Sequence, residues 1–505
     1  MNGIPILTLL TAVPVVGAII AFFSGRHARG VALITALVAL AGSLCVWMQL
    51  PANGSIGLVE RFAWAPSLGI EYHLGVDALG ALMLVLSAIV TLMAVDASHR
   101  VPHQPGLYFG LVLLLEAGLF GSFTALNFYH WFLFWEVSLI PAFFLIKLWG
   151  GPRRGPAATQ FFIYTMAGSA ALLVAFLAVF FATGSMDFIH LTAMAQSGAL
   201  ARDVTMRLGP VMPWLAIGVL AGFAVKVPII PFHTWLPSAY SEAPSPVTML
   251  LTGAMSKMGV YGLLRIALPI FGPQIAAMRT PLLVLAVITV VMGAWAAAAQ
   301  KDLKRIFAYS SVNHLGYCLL AIFALAVPAT STMAHNNQAA ALNGVILQMF
   351  NHGLTAAALF WFVAIIQLRS GGLRGLEDFG GLRKAAPVLA GLMGIAMFSS
   401  LGLPGLNSFV SEFLIFRGVF PLSWEAASFS VLGLLITAAV LLTIIQKVFS
   451  GPLPEKWASF PDLHHSERLA LAPVIGLMIL LGLVPELILH SVNPTVVNLL
   501  AHWRF

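Results

Sequence analysis

Ala224-Val225-Lys226-Val227-Pro228-Ile229-Ile230-Pro231 sets an ammonium inside an apolar run that two prolines interrupt. A lysine at bilayer depth costs about 3 kcal/mol on insertion scales and is tolerated only where water or polar partners surround it. Proline has no N–H to continue a helix, so the helix is expected to break beside Lys226. Lys226 is therefore a candidate functional residue on a broken membrane helix.

Working outward, the 505 residues are 60% hydrophobic and only 9% charged, whereas soluble proteins carry roughly a quarter charged residues. This is the composition of an all-α polytopic membrane protein. Crossing a ~30 Å hydrocarbon layer takes about 20 apolar residues. Fourteen runs qualify, near 3–23, 30–50, 74–95, 106–125, 127–149, 157–183, 210–230, 246–271, 280–299, 306–328, 339–368, 386–418, 426–449 and 469–491. No basic residue precedes the first, which reads as a membrane span and not as a secretory signal. Cys45 and Cys318 lie far apart in apolar runs and signal neither a disulfide framework nor a thiolate metal site.

The net charge of +7 sits mostly in the connections. Fifteen Lys and Arg, among them Arg29, Arg100, Arg153, Lys304 and Arg374, fall in odd-numbered connections and five in even ones. By the positive-inside rule the odd connections face the cytoplasm and both chain ends lie outside, on the periplasmic side of a bacterial inner membrane. Scatter of these charges argues against a nucleic-acid surface. The partner expected from composition is the lipid bilayer.

Two runs are broken by proline at mid-length, at Lys226-Val227-Pro228 and at Gly402-Leu403-Pro404-Gly405, with the prolines 176 residues apart. Nearly the same shift carries Glu136 close to His314. The expected organisation is three helices in 1–100, a five-helix repeat in 101–275, an inverted copy in 276–450, and a loop with a last helix in 451–505. Inverted repeats with paired broken helices are how many transporters build a site at the midplane. A proline kink alone is commonplace in membrane helices, and the matched interval is what adds weight. The connection 231–246, with four prolines and no basic residue, is expected to be a packed loop, and His233 in it either loads protons or bonds an open helix end.

Further ionisable groups interrupt the apolar runs. Glu136 lies in Phe134-Trp135-Glu136-Val137, where Lys226 is its natural partner. At ~7 Å and an effective dielectric of about 20 their attraction is roughly 2.4 kcal/mol. Moving a proton against ~150 mV takes about 3.5 kcal/mol, so further groups must contribute. Lys257, His314, His352 and Glu412 supply them, each on its own helix, with Tyr261 and Arg265 continuing the Lys257 face and Asp77 and Glu116 as accessories. Histidine passes protons because one ring nitrogen accepts while the other donates. A lone intramembrane histidine is more often a helix-to-helix hydrogen bond, but six ionisable groups on six helices read as a relay. His314 and His352 lack the spacing of a haem pair.

The stretches Leu133-Phe134-Trp135-Glu136, Leu148-Trp149-Gly150-Gly151, Lys226-Val227-Pro228, Phe232-His233-Thr234-Trp235-Leu236-Pro237, Gln300-Lys301-Asp302-Leu303-Lys304-Arg305 and Asn351-His352-Gly353 resemble the antiporter-like membrane subunits of proton-pumping NADH:quinone oxidoreductase, respiratory complex I, over about residues 70–450. The resemblance implies a proton-translocating subunit in which Glu136 and Lys226 gate the path, Lys257, His314 and His352 carry it, and Glu412 is the exit. Glutamate at the exit is similar to the chain M type, where sister chains L and N and the multisubunit sodium/proton antiporters usually have lysine. It also implies that NADH, FMN, iron–sulfur clusters and quinone sit on partner subunits, with no cofactor bound by this chain. The alternatives are a cation/proton antiporter subunit, in an exchanger or a membrane-bound hydrogenase, and a passive membrane scaffold. Lys147, and Ser238 with Tyr240 where the family commonly has aspartate and histidine, depart from the pattern.

Overall fold

Within lipid every backbone N–H and C=O must find its partner inside the chain, which leaves helices as the economical solution for runs this apolar. The computed structural model describes residues 4–65, 70–99 and 101–505. Among the described residues twelve helices are long and apolar enough to cross a membrane, from Ile6–Phe23 to His465–Leu483. A thirteenth is reached only if Ala199–Leu208 and Met212–Lys226, which meet at 107°, are taken as one. Met1 to Gly3, at the start of the first expected run, and Arg100, one of the fifteen odd-side charges, lie outside the described residues.

The shortfall from fourteen uninterrupted runs has a physical origin in the two breaks. Met212–Lys226 is 15 residues long, about 22 Å at 1.5 Å per residue, which is short of the hydrocarbon thickness. The twelfth run is divided into Pro387–Ser400 and Asn407–Leu422. Non-helical backbone survives at membrane depth only where protein groups satisfy it. At the first break the Trp235 indole donates to the Val225 carbonyl (3.0 Å) and the Ile230 N–H to Thr289 Oγ1 (3.1 Å). At the second, Asn351 Nδ2 donates to the Asn407 carbonyl (2.8 Å) and Ser399 Oγ to Asn407 Oδ1 (2.6 Å).

Three connections are more ordered than expected. Residues 231–246 are not a loop throughout: Trp235–Glu242 is a helix that resumes the broken one, and local proline content hid it because Pro237 falls in its first turn, where a missing N–H costs nothing. The last run ends at Leu483, and a separate helix, Glu486–His502, follows Pro485. The connection at 51–73 forms most of an antiparallel hairpin, Gly57–Ala65 with Ile70–Val76, in which Phe62 faces Tyr72. Its Glu60 accepts the Leu7 N–H (2.7 Å), pinning the hairpin to the first helix.

Burial separates a central group of helices from a lipid-facing ring. Over their most apolar stretch Leu303–Ala324 and Thr332–Arg369 are 94% buried, whereas Trp424–Phe449 is 33% buried and turns Phe429 and Leu435 outward. The polar groups collect on the central helices. There, Asp77 caps Ala78–Ala97 by accepting the Gly80 N–H (3.2 Å) and pairs through its other oxygen with the Arg265 guanidinium. Asp77, expected to be accessory, and Arg265, expected to continue the Lys257 face, therefore neutralise each other.

Candidate functional site

Lys226 ends its helix because Pro228 cannot donate to continue it. The side chain is 3% exposed, and its ammonium rests 4.7 Å from the centroid of the Trp135 ring, a cation–π contact worth roughly 2 kcal/mol when desolvated. The Trp135 indole N–H donates to Ser169 Oγ (2.9 Å), which fixes the ring. Glu136 follows on the same helix, Phe128–Trp149, half-buried, with one buried carboxylate oxygen that has no hydrogen-bond partner. No ion pair within 4 Å joins it to Lys226 among the described residues.

Lys257 lies in the helix Ser245–Ala277 between two π-helical turns, Leu251–Met255 and Leu263–Ala267. Such turns release carbonyls from the regular ladder and concentrate at functional positions. The completely buried ammonium uses one of them, the Thr252 carbonyl at 2.5 Å, and also meets His352 Nδ1 at 2.8 Å and Ser256 Oγ at 3.4 Å. Glycines make the approach possible. A Cβ on Gly353 would come within 2.5 Å of the Gly253 carbonyl oxygen, and one on Gly259 within 3.2 Å of the Lys226 Cβ.

From His352 the file continues through a ring contact. Its ring lies 5.2 Å, centroid to centroid, from that of His314. His314 Nε2 is 3.1 Å from Ser400 Oγ, at the end of one half of the second broken helix, and Nδ1 is 3.2 Å from Glu412 Oε1 on the other half. The other Glu412 oxygen occupies the space that a Cβ on Gly402 would approach to 2.6 Å, and Gly402 has φ +76°. The Gly402→Ala variant should therefore lose stability by about 1–2 kcal/mol from the left-handed backbone alone and push Glu412 away from His314. Thermal unfolding of the purified complex and its proton translocation read the two effects; no change in either would contradict this tight fit.

The structure thus places Lys257, His352, His314 and Glu412 next to one another in a file and sets Glu136 with Lys226 and Trp135 apart from it. Among the described residues no hydrogen bond or ion pair joins Lys226 to Lys257. Sequence reasoning missed Trp135, Thr252, Ser256 and Ser400, although small hydroxyl residues four apart on a membrane helix, such as Thr252 and Ser256, were the available signal. Glu116 is completely buried with neither oxygen hydrogen-bonded, on a helix whose Gly118 packs against Ser138 of the Glu136 helix. One group, Glu71, His73 and Asp187, has the spacing of metal ligands among the described residues. All three are already engaged, with Arg61 on Glu71 (2.6 Å) and His73 on Asp187 (2.5 Å). Burial works against ionisation of Asp187, but the His73 hydrogen bond and the His190 N–H outweigh it and hold the carboxyl below its usual range.

Residues 125–437 match the family described as NADH:quinone oxidoreductase/Mrp antiporter, TM. The chain is 34% identical to NADH-quinone oxidoreductase subunit M of Rhodobacter capsulatus, over 100% of this chain and 97% of that protein. It belongs to the subunit M family. Another member, subunit M of Mycobacterium tuberculosis, is 32% identical over 99% of this chain and 94% of its own length. The solved respiratory complex I from Thermus thermophilus with bound NADH contains a chain that superposes with a TM-score of 0.86, at 26% identity, over 99% of this chain and 100% of that one. Lys147 lies 5.6 Å from the Phe143 ring centroid at its helix end, and Tyr240 is buried with its hydroxyl donating to the Leu251 carbonyl (3.0 Å).

Proposed function

We propose that this antiporter-like subunit of NADH-quinone oxidoreductase moves protons along the buried file, with Glu136 and Lys226 as its gate. A signal from a neighbouring subunit shifts the field at half-buried Glu136. Lys226, held only by an indole face and the chain around it, answers by exchanging its proton. Lys257, His352 and His314 then pass a proton to Glu412, which releases it through the second break. What supports this reading is the succession from Lys257, which meets His352 at 2.8 Å, to the His314 ring 5.2 Å away and on to Glu412, 3.2 Å from His314. Histidine between a lysine and a carboxylate is suited to the task, since each ring can take a proton on one nitrogen and give one from the other.

The finer architecture belongs to the same reading. Twelve whole spans and two broken ones make fourteen, with 101–275 and 276–450 as inverted five-helix units about the two breaks. The odd connections face the cytoplasm of a bacterial inner membrane and both chain ends the periplasm. Sister chains L and N are the neighbours, and NADH, FMN, iron–sulfur clusters and quinone are handled elsewhere in the complex.

Vesicles containing the purified complex test the assignment against a sodium/proton antiporter. NADH with quinone should drive proton movement at undiminished rate without sodium. A pH change that needs sodium and no electron donor would overturn the reading in favour of the antiporter. A passive scaffold predicts instead that loss of Lys226 impairs assembly and leaves transport by the assembled complex intact.

A further inference from the structure

Where the helices Arg279–Ala298 and Trp424–Phe449 approach their odd-connection ends, the outer surface holds a groove of about 420 Å³. Trp295, Ala298, Ile306, Leu376, Ala439 and Val440 line it. The run Ala296-Ala297-Ala298-Ala299 opens it, because methyl side chains leave space that larger apolar residues would fill. Met292 and Trp295 on one helix and Leu435 and Leu442 on the other are exposed, so the groove faces hydrocarbon. From Ile436 to Thr443 it runs about two helical turns, roughly 11 Å. Its mean cross-section is therefore roughly 40 Å², about half of what a helix ~10 Å across would need. One acyl chain fits such a channel, and a partner helix does not.

Cations gather at one end of this groove. Gln300 and Thr443 belong to its lining; Lys301 follows the first, and Lys447 lies one turn beyond the second. The Leu376 N–H donates to the Lys301 carbonyl (2.8 Å), which sets Leu376 in the wall and Glu377 at the rim. Glu377 Oε1 lies 3.9 Å from the Lys301 ammonium and 3.7 Å from that of Lys447. Both contacts are long and all three side chains are exposed, so the carboxylate holds the lysines weakly. Arg305 Nε donates to Gln300 Oε1 (3.0 Å), and no carboxylate lies within 4 Å of its guanidinium among the described residues. The acids that neighbour these residues in the chain are committed elsewhere. Asp302 pairs with Arg374 (2.5 Å), and Asp378 accepts the Gly375 N–H (2.6 Å). Three cations thus face one free carboxylate at the mouth of an apolar channel.

We propose that the groove binds one acyl chain of an anionic phospholipid, with the phosphate between the Lys301 and Lys447 ammonium groups and beside Arg305. The phosphate takes the position of the Glu377 carboxylate, which turns to water. The two lysines act on it as point charges, and the guanidinium N–H groups that Gln300 does not use offer directed donors. Basic pockets between membrane helices recognise anionic head groups by this chemistry. A zwitterionic lipid brings its own ammonium into the same rim and is disfavoured there. Charge selects the head group, and the alanine run admits the chain.

The test uses the assembled complex in vesicles that contain either of two photoactivatable lipids, phosphatidylglycerol or phosphatidylcholine, each with the reactive group on an acyl chain. Mass spectrometry of the labelled peptides reads occupancy at 295–299 and 436–443. The anionic lipid should label these peptides about thirtyfold more than the zwitterionic one, at about fivefold for each lysine. Lys301→Gln or Lys447→Gln alone should cut that preference about fivefold, and the double variant should bring it close to one. Lys301→Arg with Lys447→Arg should keep it, which separates charge from any effect of substitution on assembly. Ala439→Phe fills the channel from an exposed position and should abolish labelling by both lipids at 295–299. Equal labelling of the unaltered protein by both lipids would overturn the proposal and leave ordinary bilayer contact. Absence of labelling would overturn it in favour of a neighbouring chain covering the groove, and an unchanged preference in the double variant would overturn the role of the rim.

Discussion

Lys257→Met in the assembled complex is expected to cut NADH-driven proton translocation at least about a hundredfold, the lower range for loss of a positioned acid–base group. Lys257 is the station where the file begins, 2.8 Å from His352 and 2.5 Å from the Thr252 carbonyl. Methionine is unbranched and one atom shorter, removes its charge and cannot carry a proton. The fold should tolerate the change, because replacing a buried ion by an apolar group of similar shape is often neutral or stabilising. The Thr252 carbonyl keeps the Ser256 hydroxyl as donor (3.0 Å), so the partners lost are those of His352 Nδ1 and, at 3.4 Å, of Ser256 Oγ. Dye-reported pH change in vesicles, beside a native gel, is the measurement. Full pumping by an assembled Lys257→Met complex would remove this lysine from the path.

Glu136→Gln isolates the gate from the relay. Glutamine has the same shape and keeps an acceptor oxygen, so what it deletes is the negative charge next to Trp135 and Lys226. If the two charges act across ~7 Å at an effective dielectric of about 20, the lost interaction of roughly 2.4 kcal/mol corresponds to a fifty-fold fall in translocation rate. Packing should survive, since Glu136 is only half-buried and has no ion pair within 4 Å to lose among the described residues. Proton translocation per NADH oxidised reads the effect, and the Glu136→Asp variant should restore much of it by returning the charge. An effect of equal size in Glu136→Asp would point to shape, and undiminished pumping in Glu136→Gln would remove the gate.

The six ionisable groups were legible one by one because each violates its surroundings. A charge in an apolar run is expensive enough that its presence alone nominates it. The same reasoning found both breaks from Pro228 and Pro404, since a missing N–H is a local fact. What failed was anything that depended on a partner distant in sequence. The helix Trp235–Glu242 looked like a loop because the indole bond to Val225, which carries the chain across the break, does not show in local composition. Asp77 and Arg265, 188 residues apart, were read separately, one as an accessory and the other as part of the Lys257 face, and are one ion pair.

Composition and hydropathy by themselves determined that this chain lives in a membrane, roughly where it crosses, and which side chains pay no packing role there. Those conclusions follow from transfer free energies, which are properties of single residues and short runs. Which of those side chains touch was decided only in three dimensions. Lys257 meets His352 because two π-helical turns free a carbonyl beside it and because Gly253 and Gly353 let two helices close on each other. Glu412 meets His314 because a left-handed glycine bends the second break around the carboxylate. Contacts of this kind depend on distances between helices, and those are set by packing and not by any one segment's sequence.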